Sequence, residues 1–201
     1  MSSSPSVNLT FSPVCFSTNQ TTFSPITVMK QYFMTTDCTD ISYSKSSYVE
    51  FKHVLTQNNI STECFNIFHE ITSFSFEDIK ICDESDCFII FFDLENGDSL
   101  AELNKILNFL SERCDMSKKI FLINFYTNET NVKDNLNEHN IKYYLSKYLL
   151  DNYEIKEANI DSLTELAEII DDVTIEILES KNLIKSTNFD VDKSKSMCNI
   201  Y

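Results

Sequence analysis

The chain has a single glycine, Gly97, in 201 residues. Glycine is the default residue where the backbone takes positive φ or must approach a ligand closely, so a function built on glycine-rich turns is excluded. Basic residues are also few. Lys and Arg together number 16 against 31 Asp and Glu, for a net charge of −15. Nucleic acid is therefore not an expected partner, because phosphate binding needs a basic patch. No apolar run approaches the roughly 20 residues of a membrane span. The segment Met1–Pro25 is Ser/Thr-rich and carries no Lys or Arg, and this predicts no secretory leader. No CxxC pair occurs among the seven cysteines, Cys15, Cys38, Cys64, Cys82, Cys87, Cys114 and Cys198. Their odd number and irregular spacing predict reduced thiols of a cytoplasmic protein rather than a disulfide framework. Cys82, Cys87 and His69 are the one set that zinc chemistry suggests, without the spacing that would support it. The four Asn-x-Ser/Thr triplets, at Asn8, Asn19, Asn59 and Asn128, carry little meaning in such a chain.

What is present is a 42% hydrophobic, 23% charged composition, ordinary for a soluble domain with one core. Val7–Phe11 suits a first strand and Ile26–Met34 a short helix. Tyr48–Leu55 and Ser61–Phe68 flank a polar, Asn-bearing turn and predict an antiparallel hairpin. One helical turn is expected through Lys80. Cys87–Leu94 is a continuous apolar run, the pattern of a strand covered on both faces, and Lys119–Asn124 is a second. Between them Leu100, Leu103, Ile106, Leu107 and Leu110 repeat at helical spacing. Ser99, with Glu102 three residues on, is the expected cap of that helix. Val132–Leu150 reads as a helix and Tyr153–Lys156 as a short strand. Ser162–Leu183 reads as a final helix capped by Ser162 and Glu165, with a solvated face of Glu165, Glu168, Asp171, Asp172, Glu176 and Glu179. Strands alternating with helices predict an α/β domain: a mostly parallel sheet, mixed through one antiparallel edge hairpin, with helices on both faces. The expected organisation is a poorly defined segment 1–25, one domain over 26–183, and a polar tail over 184–201. No internal repeat is visible.

The segment from Ser85 to Leu100, SDCFIIFFDLENGDSL, resembles the Rab branch of the Ras superfamily of small GTPases. In that family an apolar strand is followed by Asp, a hydrophobic residue, Asn, Ser and a hydrophobic residue. Asp93, Asn96, Ser99 and Leu100 stand at those positions, and Tyr48–Lys52 is similar to the family's entry into its second strand. The resemblance covers about residues 44–182 and implies a three-layer small-GTPase-like fold.

The family's chemistry-bearing boxes are changed. The phosphate loop has the form GxxxxGK[ST], in which backbone N–H groups cradle phosphates and Lys reaches the terminal ones. No Gly or Lys precedes Lys30 here. The box normally DTAGQ aligns with His69, Glu70, Ile71, Thr72 and Ser73, so the Asp that supports Mg²⁺ is His and the water-orienting Gln is Ser. Ser46 aligns with the switch-one Thr. The guanine-reading NKxD aligns with Asn124, Phe125, Tyr126 and Thr127, keeping only Asn124, which also suits a strand-end hydrogen-bonding residue. The SAK box aligns with Glu157, Ala158 and Asn159, keeping only Ala158. Ser46, Thr72, Asn124 and Ala158 are thus the degenerate nucleotide-site positions, with no catalytic residue and no metal ligand expected. Phe74 and Phe76 lie where the family's second switch meets effectors, and are candidate anchors for a protein partner.

The last four residues are Cys198-Asn199-Ile200-Tyr201. The Cys position matches a CaaX prenylation signal, although Asn199 and Tyr201 do not fit it well. Residues 181–201 hold four Lys and two Asp, a weakly basic tail suited to the cytoplasmic face of a membrane. One lipid chain anchors only reversibly. The resemblance implies a pseudo-GTPase: a protein-binding module in vesicle traffic or signalling, binding effector or scaffold proteins without a cofactor. Two alternatives stay open. One is a divergent GTPase that still binds GTP or GDP with Mg²⁺. The other is an unrelated α/β interaction domain.

Overall fold

The computed structural model describes residues 7–18, 39–43, 46–57, 60–71, 74–94, 96–126, 135–159 and 162–181. The expected helix at Ile26–Met34, and Thr72, the tail and Cys198, lie outside the described residues. Eight strands form one sheet: β1 Val7–Phe11, β2 Val14–Ser17, β3 Thr39–Tyr43, β4 Ser46–Gln57, β5 Ile60–Ile71, β6 Cys87–Phe92, β7 Lys119–Tyr126 and β8 Tyr153–Asn159. The helices are α1 Phe76–Glu84, α2 Gly97–Arg113, α3 Asn135–Lys147 and α4 Leu163–Ser180. The strand order is β3-β4-β5-β2-β6-β7-β8, with β1 also on β5. β2, β6, β7 and β8 are mutually parallel. β2 is parallel to β5, whereas β4 pairs antiparallel with both β3 and β5.

The alternating faces of the sheet build two cores. Phe11, Cys15, Cys87, Ile89, Phe91, Phe121, Ile123 and Phe125 face α4, which contributes Leu166, Ile169, Ile170, Val173 and Ile177. Val14, Phe16, Phe88, Ile90, Phe92, Ile120 and Leu122 face the opposite way. There they meet Cys82 of α1, four residues of α2 from Leu103 to Leu110, and Ile141 and Leu145 of α3. All six residues of β6 are buried, as its uninterrupted apolar run requires. Full burial of such a side chain is worth about 1.5–3 kcal/mol, so these central strands carry much of the fold.

Several strands differ from the sequence expectation. The first strand does not end at Phe11. It resumes after Pro13 as β2, and both pieces pair with β5 in one register, Phe11 opposite Asn66 and Val14 opposite His69. Proline cannot donate to a ladder. At this gap Asp86 takes over: its Oδ2 accepts from Ser12 N at 2.7 Å, and its own N–H donates to Ser12 O at 2.9 Å. β3 was not foreseen at all.

Helix ends also differ. Ser99 does not cap α2. Asn96 does, with Oδ1 accepting from Asp98 N at 2.9 Å and Ser99 N at 3.3 Å. α1 runs nine residues rather than one turn, closed at its start by a capping box between Ser75 and Asp78. α3 stops at Lys147 because Leu149 takes φ 55°. Leu150 N then donates to Leu145 O at 3.0 Å and Leu149 N to Ser146 O at 3.1 Å, the pattern of a Schellman close. β8 extends to Asn159 rather than ending at Lys156.

Candidate functional site

In an open α/β sheet, ligands bind outside the carboxyl ends of the parallel strands. Here those ends are Ser17–Thr18, Phe92–Leu94, Asn124–Tyr126 and Ala158–Asn159. Each strand end leaves backbone N–H groups beyond the ladder that a ligand, water or side chain must satisfy. In this molecule side chains satisfy several of them.

Ser99, 1% exposed, turns its hydroxyl toward the sheet. Its Oγ accepts from Asp93 N at 2.8 Å and shares a short hydrogen bond with Thr18 Oγ1. Thr18 N donates to Phe91 O at 3.1 Å. The end of β2, the end of β6 and the start of α2 are thereby tied together. One strand further on, Asn124 Oδ1 accepts from Leu94 N at 3.0 Å, linking the ends of β7 and β6. At β8, Asn159 N donates to Glu165 Oε2 at 2.9 Å, and Tyr126 OH donates to the same oxygen at 3.3 Å. Glu165 N donates to Ser162 Oγ at 3.3 Å. Ser162 therefore caps α4, but the Glu165 carboxylate is turned to the sheet instead of closing the reciprocal half of a capping box.

The acidic face expected for α4 is consequently not simply solvated. Glu165 serves the β8 end. Glu176 pairs with Lys119, which also meets Glu154 at 2.9 Å. Lys156 bonds Glu154 at 2.9 Å and approaches Asp172 at 3.9 Å. Burial works against ionisation of Glu154, yet hydrogen bonds from Lys156 and Lys119 hold its pKa below the ordinary value.

Of the residues singled out in the sequence, Asn124 and Ala158 stand at the ends of the adjacent strands β7 and β8, and Ser46 and His69 lie on other strands. Asn124 stands at the carboxyl edge with its carbonyl oxygen engaged by Leu94. Ala158 is fully buried in the core beneath α4. Ser46 opens β4 opposite Tyr43, level with the carboxyl ends of β5 and β2 but two strands from β2. His69, aligned with the Mg²⁺-supporting Asp, is half-buried on β5, where burial lowers its pKa and Glu84 partly offsets this. A neutral imidazole does not supply the negative charge that a carboxylate offers Mg²⁺. Cys82 and Cys87 belong to the two opposite cores, so they cannot share a zinc ion with His69. No group of three potential metal ligands lies together among the described residues.

Phe74 and Phe76 are both exposed, Phe76 to 83%. Phe74 takes φ 49°, which turns its ring back onto Phe109 at 4.8 Å between centroids and onto Phe16 at 6.3 Å. Phe76 starts α1 and stands free of these rings. Sequence reasoning missed Thr18, Asp93, Ser99 and Glu165 as parts of the edge. A hydroxyl or carboxylate just past a strand end was the available signal, and a helix-capping reading of Ser99 and Glu165 obscured it.

The fold and this edge define an α/β protein with a parallel central sheet. No protein-family model matches the chain, and no curated protein matches it. No helix among the described residues is long and apolar enough to cross a membrane.

Proposed function

We propose that the chain is a small-GTPase-like domain of the Rab and Ras type that acts as a nucleotide-independent protein-binding module in membrane traffic or signalling. The carrying observation is the carboxyl edge of the sheet. Asp93 N, Leu94 N and Asn159 N, which would otherwise face a ligand, are engaged by Ser99, Asn124 and Glu165. The strand order, the strand directions and the helices on both faces support the three-layer small-GTPase layout with its antiparallel edge pair. The loss of Gly and Lys before Lys30 supports the absence of a phosphate cradle. Phe74 and Phe76 are the contact residues of this reading. Cys198 is its lipid attachment point, on the cytoplasmic face of a membrane.

Equilibrium titration with fluorescent GDP and GTP in the presence of Mg²⁺ tests it. The expected result is no saturable binding at about 100 μM, an affinity weaker than roughly −5.5 kcal/mol. Micromolar or tighter binding would overturn it in favour of a divergent GTPase that retains its nucleotide.

A further inference from the structure

One end of the sheet is β8. Among the described residues this strand has a neighbour on one side only, β7. Ile120 N donates to Asn152 O at 2.9 Å, and Ile120 stands opposite Tyr153 in the ladder. A strand residue sends its N–H and C=O to the same side, and its two neighbours send theirs to the other. The main-chain groups of Glu154, Lys156 and Ala158 are therefore engaged by β7, and those of Tyr153, Ile155 and Glu157 point out of the sheet. Asn159 has the same outward phase, and its N–H donates to Glu165 Oε2 at 2.9 Å. Glu165 thus closes one end of this edge, beyond the outward groups of Tyr153, Ile155 and Glu157.

We propose that β8 is a self-association edge: a second copy of this chain pairs with it antiparallel about a two-fold axis at Ile155, continuing one sheet across both molecules.

The residues of the edge select this occupant. Pairing about Ile155 sets Ile155 opposite Ile155, Tyr153 opposite Glu157 and Glu154 opposite Lys156 of the second copy. Outward residues then meet outward residues and exchange N–H···O bonds. Glu154 and Lys156 fall at the non-hydrogen-bonded positions between them, where opposed side chains approach closest, and opposite charges there are favourable. Moving the axis by one residue removes this match. An axis at Glu154 sets Glu154 against Glu154, and an axis at Lys156 sets Lys156 against Lys156, both destabilising. The charges of the strand therefore fix one register of self-pairing.

Both faces of the strand suit the pairing. On the α4 side Lys156 bonds Glu154 at 2.9 Å and approaches Asp172 at 3.9 Å, so its ammonium is already held at the strand. On the opposite face Tyr153 and Ile155 pack against the core shared by α1, α2 and α3, yet are only partly buried. Pairing would carry that core across the seam. β8 runs seven residues without proline, and so lacks one common device that keeps an edge single. The pairing involves neither nucleotide nor Phe74 and Phe76, and stands apart from the function proposed above.

Sedimentation of the full chain in reductant, from about 1 to 300 μM, tests the proposal together with residue-by-residue amide exchange at both ends of that range. The expected result is a monomer–dimer equilibrium. The amides of Tyr153, Ile155 and Glu157 should gain at least about tenfold protection in the dimer, while those of Glu154 and Lys156, already bonded to β7, stay within about twofold. Ile155→Pro removes the central outward N–H and leaves the bonds to β7 in place. It should sediment as a monomer throughout, with an unchanged far-ultraviolet circular dichroism spectrum. Lys156→Glu sets like charges across the seam and should weaken the dimer at least about tenfold. A parent chain still monomeric at about 300 μM, or a dimer whose outward amides exchange as fast as in the monomer, would overturn the proposal whether or not either variant folds.

Discussion

Leu149 holds φ 55° at the position just past the end of α3, and this predicts that Leu149→Gly raises stability. The left-handed region costs a residue with a Cβ about 1–2 kcal/mol, whereas glycine adopts it freely. Glycine also loses more chain entropy on folding, about 0.5–1 kcal/mol. Leu149 is 83% exposed, so truncation removes little packing. The net expectation is a gain of about 0.5–1 kcal/mol, a rise in Tm of about 1–4 °C for a chain of this size. The two hydrogen bonds that close α3, from Leu149 N and Leu150 N, are made by the backbone and survive the change. The chain has no tryptophan but nine tyrosines, so urea unfolding followed by tyrosine fluorescence and circular dichroism is the assay. The midpoint should rise with an unchanged slope. Phe74→Gly is the contrasting perturbation. It relieves the same kind of strain at φ 49° but deletes the ring packed on Phe109 and Phe16. Aromatic pairs contribute about 0.5–1.5 kcal/mol each beyond area burial, so this variant should lose stability. A midpoint for Leu149→Gly equal to or below that of the parent would refute the reasoning.

Gly97→Ala should stabilise by about 0.4–1 kcal/mol: the residue has no positive φ and a Cβ would meet nothing within 4 Å. A lower urea midpoint would count against this. Asn124→Ala should cost about 1–3 kcal/mol in the same assay, because Leu94 N loses its buried acceptor. Glu154→Gln should change the acid limb of a pH–stability profile. The folded-state pKa of Glu154 lies below its ordinary 4.5, so its contribution is present above about pH 4.5 and lost as pH falls through the folded value. The parent's advantage over the variant should therefore be flat near neutrality and shrink in acid, and a profile parallel to the parent's would rule this out.

The parts legible in the sequence are those in which burial is dictated by the chain itself. CFIIFF and KIFLIN can be satisfied only with both faces covered, and the stripe from Leu166 to Ile177 has one helical face to bury. Where few residues are buried the signal is weak, and α1 illustrates this: with only Asp78 and Cys82 inside, the periodicity supported one turn where the molecule has nine helical residues. β2 was obscured for another reason. Pro13 looks like a terminator, and the repair of the interrupted ladder by Asp86 comes from 74 residues away. The cap of α2 was misassigned because Asn96, Asp98 and Ser99 all suit a cap within four residues. Ser99 is instead drawn to Thr18, and contact across 81 residues leaves no mark on local spacing. Of the candidate site, Asn124 was readable as a strand-end residue because one side chain and one position suffice. The partnership of Glu165 with Asn159 was not, since the same Ser162/Glu165 spacing is what a reciprocal cap would show.

Scarcity of glycine has a structural meaning narrower than its effect on phosphate binding. Among the described residues the two left-handed positions are filled by Leu149 and Phe74, and the one glycine occupies a helix start where alanine would serve. The described fold therefore does not depend on glycine for its turns. It tolerates strain where a helix must stop, and at Phe74 the strained backbone holds a ring against Phe109. The carboxyl edge follows the same logic. A ligand-dependent sheet leaves its strand-end N–H groups for the ligand, and is less stable when empty. Here Ser99, Asn124 and Glu165 supply the acceptors from within the chain, so the stability of this edge does not wait for an incoming molecule. Ser99→Ala separates these cases. It should destabilise by about 1–3 kcal/mol, the cost of leaving Asp93 N without its acceptor, and added GTP with Mg²⁺ should restore none of it. Recovery of the lost stability by nucleotide would mean that the edge is a vacated ligand site rather than a self-sufficient one.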